Sequence, residues 1–386
     1  MASPWSRVFE GSVLNQSVSR SIFYEGIDLL RSGAVFLVLW SHAGPVLPAS
    51  LQAALAAPWF RPGFWGVTIF FAISGFLVVG QLIDIATGQR AESLRIFVLR
   101  RWIRTVPTYW SVLLLLLLSG AIGWQGWGNL FINAFFFQGS ISGEPILLPV
   151  SWSLVIEEWS YLFCALAAMA LIFCRDFFHL SNKSLMKWIG VMLFLQVIIA
   201  SLERLFFIEN DVVVRELKQG LLLQLDALAY GGVLAWLMRM WPQRFESIRL
   251  QSSVIKVGVL TAISLLSVSA DSLFRKVLDP VPVGLAGWFS FGFYPLAGVL
   301  SAALILSFWD FKYKSLPFIL SKMIRVLSRA SYSIYLLHVP IAHIISGIEM
   351  PGILRFLIYI FGSVFIGDIC WRIIEVPFMR LRRQLV

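Results

Sequence analysis

Long apolar stretches alternate with short polar connections along almost the whole chain. About twenty apolar residues cross a bilayer as an α-helix, and on that criterion the chain contains about ten candidate spans. They lie near 27–47, 63–84, 105–123, 151–174, 187–206, 220–241, 254–270, 284–309, 330–348 and 352–376. The apolar stretch 129–137 is too short to span and is typical of a re-entrant or interfacial segment. The pattern predicts an all-α, polytopic bundle of transmembrane helices.

The Lys and Arg residues are unevenly distributed between the polar connections. With the N-terminus in the cytoplasm, 24 of the 31 basic residues fall on the cytoplasmic side and 7 on the other side. Basic residues are enriched in cytoplasmic loops, so both termini are expected in the cytoplasm. We expect a cytoplasmic N-terminal segment over 1–26 that is not a cleavable signal, a transmembrane domain over 27–378 and a basic cytoplasmic tail over 379–386.

The composition restricts the class of protein further. Of the 386 residues, 59% are hydrophobic and 13% are charged, whereas soluble domains are about half apolar and about a quarter charged. The net charge of +10 is explained by the basic loops, so no nucleic-acid partner is expected. The three cysteines (Cys164, Cys174 and Cys370) lie in apolar segments. Their spacing and the scattered histidines predict neither a disulfide framework nor a metal site.

Arg31 and His42 lie within the first predicted span, with His42 in the middle of its helix. Ionisable groups in lipid are costly, so each is a functional candidate. Eleven residues advance about three helical turns and roughly 16 Å, which places both side chains on one face, Arg31 near a membrane surface and His42 near mid-depth. This arrangement suits a ligand with an anionic head and a reactive end reaching inward. The alternative is an interfacial anchor and a histidine bonded to a neighbouring helix.

Arg101 and Arg104 precede the third span. Being three residues apart, they point the same way from a helix. We expect them at the helix N-terminus, where free N–H groups and the macrodipole attract anions. Guanidinium groups suit phosphates because their donors form a planar fork. The alternative is an ordinary positively charged loop.

Glu157 and Glu158 lie near the start of the fourth span, after Trp152 and Ser153. Adjacent helical residues diverge by about 100°, so at most one of the two carboxylates shares a site with His42. Glu157 is our choice, because a carboxylate bonded to the second nitrogen of a histidine would fix its tautomer and raise its basicity. Glu158 would then pair with a cation or face a wet cavity.

Other polar and small residues within the spans complete the set of candidates. Gly66 and Gly75 would permit close approach of helix backbones. Asp368 is expected to pair with another polar group inside the bundle. Tryptophans near the outer face (Trp124, Trp127 and Trp152) would form an aromatic belt or stack on sugar rings. The further site candidates are Ser74, Trp152, Ser153, Glu158, Asp226 and His338.

Taken together, these segments resemble the acyltransferase 3 family, the integral-membrane acyltransferases that modify bacterial surface glycans and related small molecules. The matching motifs are Arg31-x10-His42, Gly66-Val67-x-x-Phe70-Phe71-x-x-Ser74-Gly75-Phe76-Leu77, Arg101-x-x-Arg104, Trp152-Ser153-Leu154-x-x-Glu157, Ser331-Tyr332-Ser333-x-Tyr335-Leu336-x-His338 and Glu375-Val376-Pro377-Phe378. Each motif is weak alone, but the six occur in the family's order. We expect the stand-alone form, without the large outer hydrolase-like domain of some relatives.

The resemblance implies a donor, substrate class and location. The donor would be an acyl-coenzyme A on the cytoplasmic side, with acetyl-coenzyme A the first choice. The acceptor would be a hydroxyl of a carbohydrate or lipid-linked glycan reached from the other side of the bacterial plasma (inner) membrane. His42 would be the catalytic histidine, and Arg31, Arg101 and Arg104 would serve the donor. Direct transfer and a transient acyl-histidine are both open.

Two positions depart from the family pattern. An acidic residue is usual where Thr68 stands, and a basic residue is frequent where Gln224 precedes Asp226. The second span therefore has no assigned catalytic role, and Asp226 has no assigned partner. The alternative function is a polytopic transporter or lipid-linked sugar flippase, in which the intramembrane ionisable groups would form a proton relay or a substrate pathway.

Overall fold

The computed structural model describes residues 13–48, 50–52, 62–90, 93–138, 146–209, 225–249, 252–276 and 283–384. Helices and short connections make up this described part of the chain, and it contains no strand, which confirms the all-α prediction. Its α-helices are α1 (Val13–Ser41), α2 (Pro62–Ala86), α3 (Leu94–Leu118), α4 (Trp127–Ala134), α5 (Trp152–Phe177), α6 (Asn182–Glu209), α7 (Leu225–Met240), α8 (Pro242–Arg249), α9 (Ser252–Lys276), α10 (Val283–Ser307), α11 (Phe318–Arg329), α12 (Ser331–Ser346), α13 (Gly352–Cys370) and α14 (Val376–Arg383). A π-helical turn, Trp371–Glu375, joins α13 to α14.

Each of the ten predicted spans overlaps one of these helices. Among the described residues, four helical stretches are long and apolar enough to cross a membrane, and a bent pair of helices is a fifth candidate. The four are Gly63–Ala86, Pro149–Phe177, Asn182–Leu205 and Gly352–Leu381. Helices α7 and α12 have 16 residues each, fewer than the about twenty that a span needs. Ten spans and cytoplasmic termini therefore stay predictions.

The first helix differs from the first predicted span at both ends. It begins at Val13 and ends at Ser41, because Pro45 and Pro48 disfavour helical continuation. His42 therefore lies in the turn that follows the helix, and its predicted place in the middle of a helix was wrong. The end of α1 is held against α13 by a 2.9 Å hydrogen bond from the Tyr359 hydroxyl to the Leu39 carbonyl.

Helix α2 lies at the centre of the bundle and contacts α1, α5, α7 and α10. A Cβ atom on Gly66 would lie 2.5 Å from the Ala34 carbonyl oxygen of α1, and one on Gly75 would collide with the Leu228 carbonyl oxygen of α7. These two glycines thus allow the backbones to approach closely, which confirms the prediction that they would do so.

The segment 129–137 forms the eight-residue helix α4, which is too short to cross a bilayer. It is fixed from inside the protein by Asn133, which is fully buried. The Asn133 side-chain oxygen accepts a 3.0 Å hydrogen bond from the Leu147 N–H, and its carbonyl accepts one of 3.0 Å from the Tyr109 hydroxyl. The prediction of a non-spanning segment agrees with this short helix.

The connection between α10 and α11 is tied to α1 by Tyr313. Its backbone N–H donates to Glu25 at 2.6 Å, and its hydroxyl donates to Asp28 at 2.9 Å. Asp28 also accepts a 2.6 Å hydrogen bond from Ser328 of α11. Burial, with the neighbouring carboxylate of Asp28, raises the pKa of Tyr313 above its ordinary value, so the hydroxyl stays protonated and remains a donor.

Candidate active site

A cavity lies between helices α1, α2, α3, α5 and α12 and contains about 810 Å³ of unfilled space, counting its open mouth. Helical spacing explains the convergence, because residues three or four positions apart lie on one face. The predicted site residues that line it are Arg31, Ser74, Arg101, Arg104, Ser153 and Glu157. The other predicted site residues, including His42, are not part of its lining.

Three arginines give this cavity a positively charged end. Arg101 is buried, and its guanidinium lies 5.5 Å from the centre of the Phe97 ring and 5.7 Å from that of Tyr161. Arg31 donates a 3.0 Å hydrogen bond to the Ser331 hydroxyl. In the described part of the chain, neither Arg101 nor Arg104 is hydrogen-bonded or ion-paired through its guanidinium. Their charges are therefore available to an anionic ligand.

The predicted position of Arg101 and Arg104 at a helix N-terminus was wrong. Helix α3 begins at Leu94, where the Ser93 hydroxyl caps it by accepting a 3.3 Å hydrogen bond from the Ile96 N–H. The two arginines lie about two to three turns further on, and the field of the helix dipole falls off within the first turn. Anion attraction at this site comes from the guanidinium groups themselves.

Glu157 lies in the cavity and is bonded to groups other than His42. The Ser74 hydroxyl donates to one oxygen of Glu157 at 2.5 Å, and the Tyr161 hydroxyl donates to the same oxygen. The expected hydrogen bond between Glu157 and His42 is therefore absent from this arrangement of the described residues. The reason is axial position, because Glu157 lies near the arginines whereas His42 lies beyond the opposite end of the cavity.

Glu158 points away from the cavity, as the divergence of adjacent helical residues requires. It is 6% exposed, and among the described residues neither carboxylate oxygen has a hydrogen-bond partner. The prediction that at most one of the two carboxylates faces the site thus agrees with the geometry.

The His42 ring is exposed and has a defined tautomer. Its Nδ1 lies 2.9 Å from the Val38 carbonyl oxygen. A carbonyl only accepts hydrogen bonds, so Nδ1 carries a proton, and in the neutral ring Nε2 presents a lone pair. A backbone carbonyl thus performs the orienting role that the sequence had assigned to Glu157.

A second histidine, His338, contacts His42. The two ring centres are 4.8 Å apart and the ring planes are inclined at 70°. His338 is fully buried, and its Nδ1 lies 2.7 Å from the Tyr335 carbonyl oxygen, which assigns it the same tautomer. Its Nε2 has no hydrogen-bond partner among the described residues.

Tyr335 connects the cavity to this histidine pair and was not among the residues singled out from the sequence. It lines the cavity, and its ring centre is 5.8 Å from that of His338. Its hydroxyl donates to the Val150 carbonyl at 3.0 Å and lies 2.7 Å from the Ser153 hydroxyl. The sequence signal that could have identified Tyr335 is its position one helical turn before His338, within the family motif that begins at Ser331.

Asp226 lies outside the cavity and forms a buried ion pair. Its carboxylate binds both terminal nitrogens of Arg204, at 2.6 and 2.7 Å, and each side chain is 2% exposed. This identifies the partner that the sequence left open, while Gln224 lies outside the described residues. Thr68, which replaces the family's acidic residue, donates to the Phe64 carbonyl of its own helix at 2.9 Å.

The remaining predicted residues lie at the periphery. Asp368 accepts hydrogen bonds from Arg329 at 2.8 Å and from Arg372 at 2.7 Å, which confirms that it is paired inside the protein. Trp124 and Trp127 are exposed and contact each other edge to face with ring centres 5.0 Å apart. Trp152 is half-buried, and its ring lies edge-on to a phenylalanine of α2. The roles of these tryptophans stay predictions.

Comparison with known proteins agrees with the resemblance. A family model described as an acyltransferase domain, that of acyltransferase 3, matches residues 24–372. The chain is 25% identical over 379 residues to the peptidoglycan O-acetyltransferase OatA of Listeria monocytogenes, covering 92% of this chain and 56% of the relative. It is 24% identical over 387 residues to the O-acetyltransferase OatA of Staphylococcus aureus, covering 92% of this chain and 57% of the relative.

The chain thus spans little more than half the length of these curated relatives. No solved structure matches it. The family model nevertheless extends from α1 to the π-helical turn and includes every helix that lines the cavity. On this match the chain belongs to the acyltransferase 3 family.

Proposed function

We propose that this protein is a membrane O-acyltransferase that moves an acyl group, acetyl in the first instance, from acyl-coenzyme A to a hydroxyl of a carbohydrate or lipid-linked glycan. One observation carries the proposal. A cavity lined by three arginines, of which Arg101 and Arg104 make no guanidinium hydrogen bond or ion pair in the described residues, ends at Tyr335. The Tyr335 ring contacts His338, and His338 contacts His42, whose Nε2 can act as a base. The names of the two relatives, both O-acetyltransferases, support the reaction class.

The arginines account for the choice of donor. Coenzyme A carries phosphates, and guanidinium groups bind phosphate through short, charge-assisted hydrogen bonds. Beyond them, the cavity wall becomes apolar, with Val67, Phe70 and Leu154 facing the space that the long arm of the coenzyme would occupy.

His42 would supply the proton transfer. Its Nε2 takes the proton of the acceptor hydroxyl while the hydroxyl oxygen attacks the thioester carbon. The carbon–sulfur bond then breaks, and the proton passes to the leaving thiolate. General-base help of this kind contributes about 10²–10⁴-fold in rate. If Nε2 instead attacks the thioester, an acyl-histidine forms and coenzyme A leaves before the acceptor reacts, which gives ping-pong kinetics.

Glu157 has a different role in this proposal from the one expected from the sequence. Its oxygen accepts from both Ser74 and Tyr161, and the Tyr161 ring lies beside the Arg101 guanidinium. Glu157 therefore holds the wall of the donor site in place beside the arginines. We assign it to donor binding and assign the orientation of His42 to the Val38 carbonyl.

The distribution of basic residues also supports an orientation in the membrane and a location for the protein. The arginine end of the cavity would face the cytoplasm, where the donor is available, and His42 would lie towards the opposite side of a bacterial plasma membrane. The acceptor would then approach the exposed His42 ring from outside, while the donor enters past the arginines.

Release of coenzyme A is the direct test. Purified protein in detergent is mixed with acetyl-coenzyme A and an acceptor glycan, and free thiol is measured for wild type, His42→Ala and His343→Ala. His343 is an exposed histidine on α12, outside the cavity, and serves as the control. We expect activity in wild type and His343→Ala and none in His42→Ala. Normal activity in a folded His42→Ala protein would refute the assignment, and a transporter or flippase would release no thiol.

A further inference from the structure

Tyr335 closes the donor cavity on the side of the histidine pair. It lines the cavity together with Ser153, whereas His42 and His338 lie beyond it. A thioester bound in the cavity must approach the His42 nitrogen to within about 3–3.5 Å to react. We propose that Tyr335 is the residue that selects which acyl groups reach His42, an inference that rests on the proposed function.

The closed position of Tyr335 is held by polar contacts with the start of α5. Its hydroxyl lies within hydrogen-bond distance of the Val150 carbonyl, at 3.0 Å. The Ser153 hydroxyl lies 2.7 Å from the Tyr335 hydroxyl and 3.3 Å from the same Val150 carbonyl, so either hydroxyl can be the donor in the contact between them. The ring is 8% exposed, and it lines the cavity while also contacting the His338 ring. Hydrogen bonds of this kind can be exchanged during turnover, so the ring forms a barrier that can move.

The space into which the ring can move is limited. Tyr335 and Leu154 belong to one hydrophobic cluster, and Val67 and Phe70 of α2 pack against it. Interiors packed in this way resist the insertion of extra methylene groups. A rotation of the ring that suffices for an acetyl group would leave too little room for a longer chain. The size of the acyl group is thus controlled at Tyr335, separately from the coenzyme, which the arginines would bind.

An affinity label measures the passage directly. Bromoacetyl-coenzyme A places an electrophilic carbon near the position of the thioester. When it reaches His42, a bond forms from Nε2 to that carbon and bromide leaves. Iodoacetamide is the comparison reagent, because the exposed His42 ring is open to it without passing Tyr335. Labelling at His42 by each reagent is followed by mass spectrometry in wild type, Tyr335→Phe, Tyr335→Ala and Ile344→Ala.

Tyr335→Phe keeps the ring and removes its hydroxyl, and Tyr335→Ala removes the ring. Ile344→Ala is the control, because Ile344 is an exposed residue of the same helix that does not line the cavity. We expect Tyr335→Phe to accelerate labelling by bromoacetyl-coenzyme A about tenfold, the effect of losing two ordinary hydrogen bonds. Labelling by iodoacetamide should not change. Ile344→Ala should leave both rates near those of wild type.

Acyl selectivity gives the second readout. The ratio of kcat/KM for acetyl- and hexanoyl-coenzyme A should fall by about tenfold or more in Tyr335→Ala, because the discrimination against extra methylenes is lost. The same ratio should be maintained in Ile344→Ala. If Tyr335→Phe and Tyr335→Ala both retain the wild-type ratio and labelling rate, Tyr335 is not a selector, although the acyltransferase assignment stands. If free coenzyme A fails to protect wild-type His42 from the label, the donor site is refuted and this inference with it.

Discussion

The ring of His338 packs against that of His42 with centres 4.8 Å apart, although the two residues lie at opposite ends of the chain. Helices α1 and α12 run side by side, since Arg31 bonds Ser331 at one end and the two histidines meet at the other. Although His42 lies beyond the end of α1, its ring is held by the Val38 carbonyl of that helix and by the buried His338 ring of α12.

Replacing His338 should therefore affect turnover more than donor binding. His338→Phe keeps a flat ring but removes the hydrogen bond from Nδ1 to the Tyr335 carbonyl. We expect kcat to fall by about 10²-fold, because a displacement of about 1 Å at the reacting group has that effect. The KM for acyl-coenzyme A should stay near that of wild type. Steady-state kinetics check both values, and an unchanged kcat would contradict a positioning role for His338.

The two arginines of α3 should act on the donor. Arg101→Ala and Arg104→Ala each remove charge-assisted bonds of about 1.5–3 kcal/mol, so we expect the affinity for acyl-coenzyme A to fall by about 10–100-fold. Arg95→Ala is the matched control, because Arg95 is an exposed arginine on the same helix and does not line the cavity. Titration calorimetry measures the affinities. If all three variants bind the donor as wild type does, the arginines serve only membrane topology.

Local helical spacing made much of the cavity predictable from the sequence. Arg101 and Arg104 line it because they are three residues apart, and Glu157 lines it because it lies one turn after Ser153. The close contacts at Gly66 and Gly75 were expected because glycine has no side chain to separate two helix backbones. These relations hold within one helix and its immediate neighbour, and they do not require knowledge of the whole bundle.

The side-chain contacts that could not be predicted from the sequence depend on which helices are neighbours. Glu157 was assigned to His42 because a carboxylate can orient a histidine ring, yet it bonds Ser74 of α2. Asp226, which had no assigned partner, is paired with Arg204 of α6. Periodicity orients a side chain around its helix axis but does not specify the helix that it meets.

Two glycine positions test the packing of α2 against a matched control. In Gly75→Ala the new Cβ meets the Leu228 carbonyl oxygen of α7, whereas in Gly33→Ala it meets no atom within 4 Å. Overpacking costs about 1–3 kcal/mol, and an exposed helical glycine changed to alanine gains up to about 1 kcal/mol. Thermal unfolding in detergent should therefore show Gly75→Ala destabilised and Gly33→Ala equal to wild type or more stable. Equal midpoints for the two variants would contradict the close contact of α2 with α7.

Variants of the buried ion pair between Arg204 and Asp226 test stability separately from catalysis. Asp226→Asn leaves the guanidinium without its counter-ion, and breaking a buried pair in this way costs about 3–5 kcal/mol. The double variant Arg204→Met, Asp226→Leu removes both charges and should regain most of that loss, because well-packed apolar residues replace buried ion pairs at little cost. Unfolding midpoints of the single and double variants give the interaction energy.

Activity of the same double variant then decides the role of Asp226, which was a functional candidate in the sequence. Neither residue lines the cavity, and the arginine is additionally packed against the Tyr294 ring at 5.2 Å. We therefore expect the rate of coenzyme A release to be proportional to the amount of folded protein. The double variant, when folded, should be as active as wild type. A double variant that is fully stable but inactive would place Asp226 in the reaction after all, and would require a path from it to the donor cavity.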